Sequence, residues 1–138
     1  MDVYLLLILT VVFWGTAPIF DKAALKGGDP LLGTILRGMF IGLVMTLFGL
    51  FTGKFRELSL MPPRSILFFF LSGLCAGTLG VFTYFKALQL GPTSRIVPLA
   101  ATYPLFTALL SVIVLGESIT LPRIFGIILI VVGVFLVK

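Results

Sequence analysis

Five apolar runs, each about as long as a bilayer is thick, alternate with short polar breaks along this sequence. A helix needs about 20 mostly apolar residues, at 1.5 Å of rise each, to cross roughly 30 Å of hydrocarbon. The pattern therefore predicts spanning helices at about residues 3–22, 30–52, 64–88, 93–115 and 120–137. Stop signals bound each run. Gly27-Gly28 ends the first, because glycine readily takes the left-handed conformation that terminates helices. Asp29 and Pro30 read as N-cap and first helical residue of the second. Gly53 and residues 54–58 form the longest loop, and Pro62-Pro63 opens the third span. Gly91-Pro92 breaks the chain before the fourth, where Thr93 or Ser94 supplies a cap. Gly116 closes that helix, Thr120 caps the fifth, and the fifth runs to Lys138.

A soluble helical bundle needs a polar stripe on each helix. Residues 124–137 contain no charged residue and no polar one beyond glycine. The expected fold is an all-α integral membrane protein in which residues 1–138 form one transmembrane domain. Composition sharpens this reading. A soluble domain carries about 25% charged residues; this chain has 11%, with 59% hydrophobic residues and a mean hydropathy of +1.24. So much apolar side chain cannot be hidden inside 138 residues. The net charge of +5 comes from basic residues scattered singly, without the clustered face that nucleic acid requires. It fits anionic lipid headgroups at helix ends. One cysteine, Cys75, and no histidine leave no internal disulfide and no Cys/His metal cluster, and no cofactor is expected. No nucleophile–base pair argues for an enzyme. The start at Met1, Asp2 and Val3 lacks the basic region of a secretory signal, so the first run reads as a retained span.

Five spans put the two termini on opposite sides of the membrane. Lys54, Arg56, Arg64 and Arg123 fall on the N-terminal side. Lys22, Lys26, Arg95 and Lys138 fall on the other, with Lys86 and Arg37 nearer the hydrocarbon. Orientation follows an excess of Lys and Arg in cytoplasmic loops, and here the sides nearly balance. Two readings stay open: dual insertion with pairing as an antiparallel homodimer, or one orientation set by subtler cues. Small residues also recur on helix faces, as Gly38, Gly42, Gly49 and Gly53 on the second span, Gly73, Gly77 and Gly80 with Ser72 and Ala76 on the third, and Gly126 and Gly133 on the fifth. Such stripes let backbones approach closely in lipid. The expectation is packing within the chain, with a dimer face as the alternative.

Three prolines lie inside spans. Pro18 deprives the carbonyl of Trp14 of its usual donor, and Pro98 and Pro104 do the same to Ser94 and Ala100. Freed backbone groups at membrane depth face protein or a wet cavity. Gly15 and Thr16 flank the first kink, and Thr102, Tyr103 and Thr107 surround the third. Trp14, Arg37, Tyr84, Thr102 and Tyr103 are the candidate solute-binding residues, offering aromatic contact, hydroxyl groups and one cation; kinks satisfied by neighbouring helices, with no ligand, are the alternative. Arg37 lies about 10 Å into the second helix. A central arginine costs roughly 2.5–3.5 kcal/mol, which about ten apolar neighbours offset. Its head either snorkels to the headgroups or lines the cavity. Lys86 poses the same choice. Glu117 reads as a turn residue before the fifth helix, and no Asp or Glu lies mid-membrane.

Residues 84–138, YFKALQLGPTSRIVPLAATYPLFTALLSVIVLGESITLPRIFGIILIVVGVFLVK, carry a Y-x-x-A-L helix end, a small-residue turn, a helix with internal Pro104, an L-G-E sequence and a glycine-containing last helix. Together with VFWGTAPIF around Trp14 and with Asp29-Pro30 followed by Arg37, this order resembles the EamA domain of the drug/metabolite transporter superfamily along essentially the whole chain. Members of that family typically contain ten helices as two five-helix inverted repeats, and move small metabolites, often outward. The resemblance implies half of such a ten-helix transporter, like the shorter five-helix members, with Trp14, Arg37, Tyr84 and Tyr103 near a central cavity and Gly116-Glu117 as a structural turn. The expected function is transport of a small metabolite or drug-like solute by alternating access. The expected partners are the lipid bilayer, the solute, and an antiparallel homodimer mate or homologous second half; the expected location is a prokaryotic plasma membrane. Two rivals are a non-transporting membrane subunit or assembly partner, and a small-multidrug-type proton antiporter, which the lack of a mid-membrane carboxylate disfavours.

Overall fold

A computed structural model describes residues 2–137 and divides into two compact units, one ending at Leu90 and one starting at Gly91. Every described element is helical. The first unit opens with α1 (Val3–Leu25), whose N-terminus is capped by the Asp2 carboxylate accepting from the Tyr4 N–H at 3.2 Å. The helix passes through Pro18 without ending, and Pro18 is buried. The helix gives way at Lys26 to a tight turn, in which a Cβ on Gly28 would lie 2.8 Å from the Ala24 carbonyl oxygen. Asp29 and Pro30 then act as the sequence predicts. The Asp29 carboxylate accepts from the Leu32 N–H at 2.8 Å, and Pro30 begins α2 (Pro30–Thr52). Gly53 stops α2 in the left-handed conformation, φ +69°, and its N–H returns to the Gly49 and Leu50 carbonyls.

A 3-10 segment (Lys54–Leu60) leads to α3 (Pro63–Ser72), a wide-turned π segment (Gly73–Gly80) and α4 (Val81–Leu90). α3, the π segment and α4 together form a 28-residue stretch able to cross a bilayer; α1 and α2 have 23 residues each. Within the unit, α1, α2 and α4 pack together where the end of α1, the start of α2 and the end of α4 meet. Leu25, Thr34, Phe85 and Leu88 are buried there. The Thr34 hydroxyl is satisfied by the Pro30 carbonyl at 2.8 Å. The amide of Gln89 donates to the carbonyls of Gly28 (2.8 Å) and Leu25 (3.3 Å), covering acceptors that the end of α1 leaves without a helical donor. The Lys22 ammonium donates to the Leu88 carbonyl. Elsewhere α1 and α2 expose large apolar side chains such as Phe13, Ile19, Phe40 and Phe48, a surface suited to lipid and not to water.

The second unit holds α5 (Thr93–Ala100), α6 (Tyr103–Leu115) and α7 (Leu121–Val137), with α5 packed on α7. α5 and α6 together give a 23-residue stretch, Thr93–Leu115, able to span. α5 contains Pro98, but the break falls later, at Ala101 and Thr102, just ahead of Pro104. Pro104 removes the donor that would bond the Ala100 carbonyl and disfavours helical geometry in the residue before it. The Thr102 hydroxyl folds back onto the Leu99 carbonyl at 2.8 Å. Pro92 sits at the cap position of α5 with no side-chain cap bond, so neither Thr93 nor Ser94 acts as the cap. Gly116, φ +68°, closes α6, and the Glu117 N–H reaches back to the Ser111 carbonyl at 3.2 Å. α7, at 17 residues, is the shortest of the five apolar stretches. The expectations that the last span runs to Lys138, and that Lys138 adds charge to its side, lie outside the described residues.

Most glycines of the stripes do not serve the expected packing within each unit. A Cβ on Gly38, Gly42, Gly73, Gly77, Gly126 or Gly133 would meet nothing within 4 Å. Close approach inside the first unit uses one stripe position, Gly49, and one outside the stripes, Gly33. Gly33 lets the Phe85 ring come to 3.4 Å, and Gly49 lies under the Phe55 ring, 2.8 Å from where a Cβ would be.

Candidate functional site

Ala17, Asp21, Ala24 and Leu25 share one face of α1, Leu32, Gly33, Leu36 and Arg37 share one face of α2, and Gly28 and Asp29 lie in the turn between them. Where these faces meet near Phe85 they enclose a cavity of about 460 Å³, within the range of small-molecule sites. Its wall is mostly alkyl and aromatic, with Ala17, Leu25, Leu32, Leu36 and Phe85 prominent.

Asp21 and Arg37 supply the charge. Nη1 of Arg37 lies 3.1 Å from Oδ2 and 3.3 Å from Oδ1 of Asp21. The Asp21 side chain is 15% exposed and that of Arg37 38%. The guanidinium carbon stands 5.8 Å from the centroid of the Phe85 ring, within cation–π range. The glycine at position 33 makes this possible, since it lets Phe85 lean between the helices one turn before Arg37.

Of the residues expected from sequence, Arg37 lines the cavity. Tyr84 is half-buried on α4, with its ring centroid 6.5 Å from that of Phe85 and its phenol in electrostatic reach of both Asp21 and Arg37. Trp14 lies two turns before Asp21 on α1, is 67% exposed, and is not in the cavity wall. Thr102 and Tyr103 belong to the second unit, where they mark the α5–α6 break; Tyr103 is exposed. Lys86 turns its ammonium over the Phe82 ring at 4.5 Å.

Sequence reasoning missed Asp21 and Phe85. The absence of a mid-membrane carboxylate does not extend to the cavity, because α1 continues to Leu25 and Asp21 falls about 6 Å inside its end. A signal was present: Asp21 shares a face with Ala17 and Ala24, small residues that admit a second helix, and an arginine within an apolar helix calls for a carboxylate.

Apolar helices of spanning length, with a charged pocket inside the first unit, define a polytopic membrane protein. Comparison with known proteins gives the family. The profile of the EamA-like transporter family matches residues 1–138, and the chain belongs to that family as a membrane transporter. It is 30% identical over 129 residues to an uncharacterized transporter of the cobO 3′ region in Sinorhizobium sp., covering 94% of this chain and 91% of that one. It is 29% identical over 139 residues to an uncharacterized protein of Methanocaldococcus jannaschii, covering 100% and 98%. A third relative, an uncharacterized transporter of Archaeoglobus fulgidus, is 30% identical over 67 residues, 49% of this chain and 24% of the relative, which is therefore about twice as long. No solved structure matches the chain.

Proposed function

We propose that this chain moves small metabolites or drug-like solutes across a prokaryotic plasma membrane by alternating access, working as one half of an antiparallel pair. The observation that carries the reading is the Asp21–Arg37 pair in a mostly apolar cavity between two helices of spanning length, since charges are costly in lipid and collect where solutes or ions pass. Interrupted helices support it. The third apolar stretch widens at Gly73–Gly80 and the fourth breaks at Ala101 and Thr102, the kind of discontinuity that transporters place at binding sites and moving joints. Relatives of one length and of about twice that length support pairing, for a fused second copy does in one chain what a partner does in two. The unpacked faces at Gly38 and Gly42 offer a surface for that partner.

The test is the purified protein in liposomes with a metabolite panel, beside crosslinking and terminus-accessibility labelling in native membranes. Flux, a crosslinked dimer and termini reachable from both sides are the expected results. No flux, with stable association to a different membrane protein, would establish the subunit reading instead.

A further inference from the structure

The ion pair in the cavity leaves much of the arginine unused. Arg37 reaches both carboxylate oxygens of Asp21 through Nη1 alone, and among the described residues no bond engages its Nε or Nη2. A guanidinium presents five N–H donors in a planar fork that matches a carboxylate in two parallel bonds. The other charged and titratable groups nearby have their own engagements. The Asp29 carboxylate caps α2, the Lys22 ammonium is bonded to the Leu88 carbonyl, and the Lys86 ammonium lies over Phe82. Tyr84 on α4 is the remaining titratable side chain in reach of the pair. The rest of the wall is apolar, and a partly buried ion pair is seldom worth more to stability than the hydrophobic side chains that could replace it. A role in binding accounts for its presence.

We infer that this cavity is a proton-linked site for a small organic anion with an apolar body, in which the carboxylate of the solute takes Arg37 and the released Asp21 takes a proton. The inference rests on the transport reading above and adds to it the charge of the solute and the identity of the coupled ion. In the empty site one carboxylate faces one guanidinium, with no net charge. In the occupied site a solvent proton sits on an Oδ of Asp21, the anion sits on Arg37, and the sum is again zero; no bond within the solute changes. Either event alone is unfavourable. An anion without the proton sets two carboxylates against one cation, and a proton without the anion strands a guanidinium among alkyl groups. Anion and proton therefore enter together and cross as a neutral load.

The test is calorimetric titration of the full chain in nanodiscs near neutral pH, with benzoate and hexanoate as probes and benzamide and hexanamide as uncharged controls. Repeating it in buffers of different ionisation enthalpy counts the protons, and since both probe acids are already ionised, any uptake belongs to the protein. Each carboxylate is expected to bind about tenfold tighter than its amide or better, with about one proton taken up per anion. Asp21→Asn keeps the preference for carboxylate and loses the uptake, while Arg37→Gln loses the preference. Carboxylates that bind no better than amides, or that bind without proton uptake, overturn the inference even where the same preparation carries other solutes across vesicles. Should Arg37→Gln fail to fold, proton uptake by the unaltered protein decides alone. Intact linkage with no flux of any solute would sink the transport reading and leave the anion site standing.

Discussion

Arg37 and Asp21 come from different helices, 16 residues apart, and each makes the other tolerable in an apolar setting. Removing one partner of a fully buried pair costs about 3–5 kcal/mol. With Arg37 more than a third exposed, solvent screening reduces the expected loss for Asp21→Asn to about 1–2 kcal/mol. Replacing both residues, as Asp21→Leu with Arg37→Met, is expected to restore most of that stability, because no charge is then left stranded. Thermal unfolding in detergent of the two single variants and the double variant measures this. A double variant no more stable than the singles would mean that the side chains matter for shape and not for charge. Arg37 stood out in the sequence as a lone cation in an apolar run. Its partner did not, because an aspartate near the end of a run looks like the start of a loop until the helix is seen to continue to Leu25.

The elements were legible where backbone chemistry is local. Asp29 and Pro30 start α2, and Gly53 and Gly116 end α2 and α6 in the left-handed region, because these residue types do the same work in any chain. At φ +69° an alanine in place of Gly53 carries a penalty of about 1–2 kcal/mol, although nothing crowds its Cβ. A lowered unfolding temperature for Gly53→Ala, beside no change for Gly15→Ala in the open middle of α1 beyond its higher helix propensity, checks that conformation and not space is the cause. The widening at Gly73–Gly80 was not legible. Its glycines and small residues read equally well as a packing stripe, and a shift to wider hydrogen-bond spacing follows from tertiary demands that no short sequence window contains. The α5–α6 break was half legible: Pro104 announced a disruption, but Pro98 did too, and α5 absorbs Pro98 within its eight residues.

At the scale of the molecule, class and family were plain from hydropathy and from the order of motifs, since a bilayer imposes length and apolarity on every span at once. The use of the glycines was not plain. Periodicity tells which residues share a face and is silent on what covers it, and the faces at Gly38 and Gly42 are left open inside the first unit. If a second copy covers them, Gly42→Ile lowers the yield of crosslinked dimer in native membranes while the detergent-solubilised monomer keeps its unfolding temperature. An unchanged dimer yield would move the interface elsewhere.

The cross-helix bonds of the first unit gather at one level. Lys22 to Leu88 and Gln89 to Leu25 and Gly28 all tie the last turn of α1 to the last turn of α4, and the buried side chains lie beside them. Local stability is thus expected to fall along the helices, firm at the end where these bonds lie and loosening toward the other. Deuterium exchange in nanodiscs is expected to be slow at residues 19–25, 32–36 and 85–90, and faster at the far halves of α1 and α2. Such a gradient would give the unit one anchored end and one breathing end, and in a pair of opposed copies each membrane face would hold one of each.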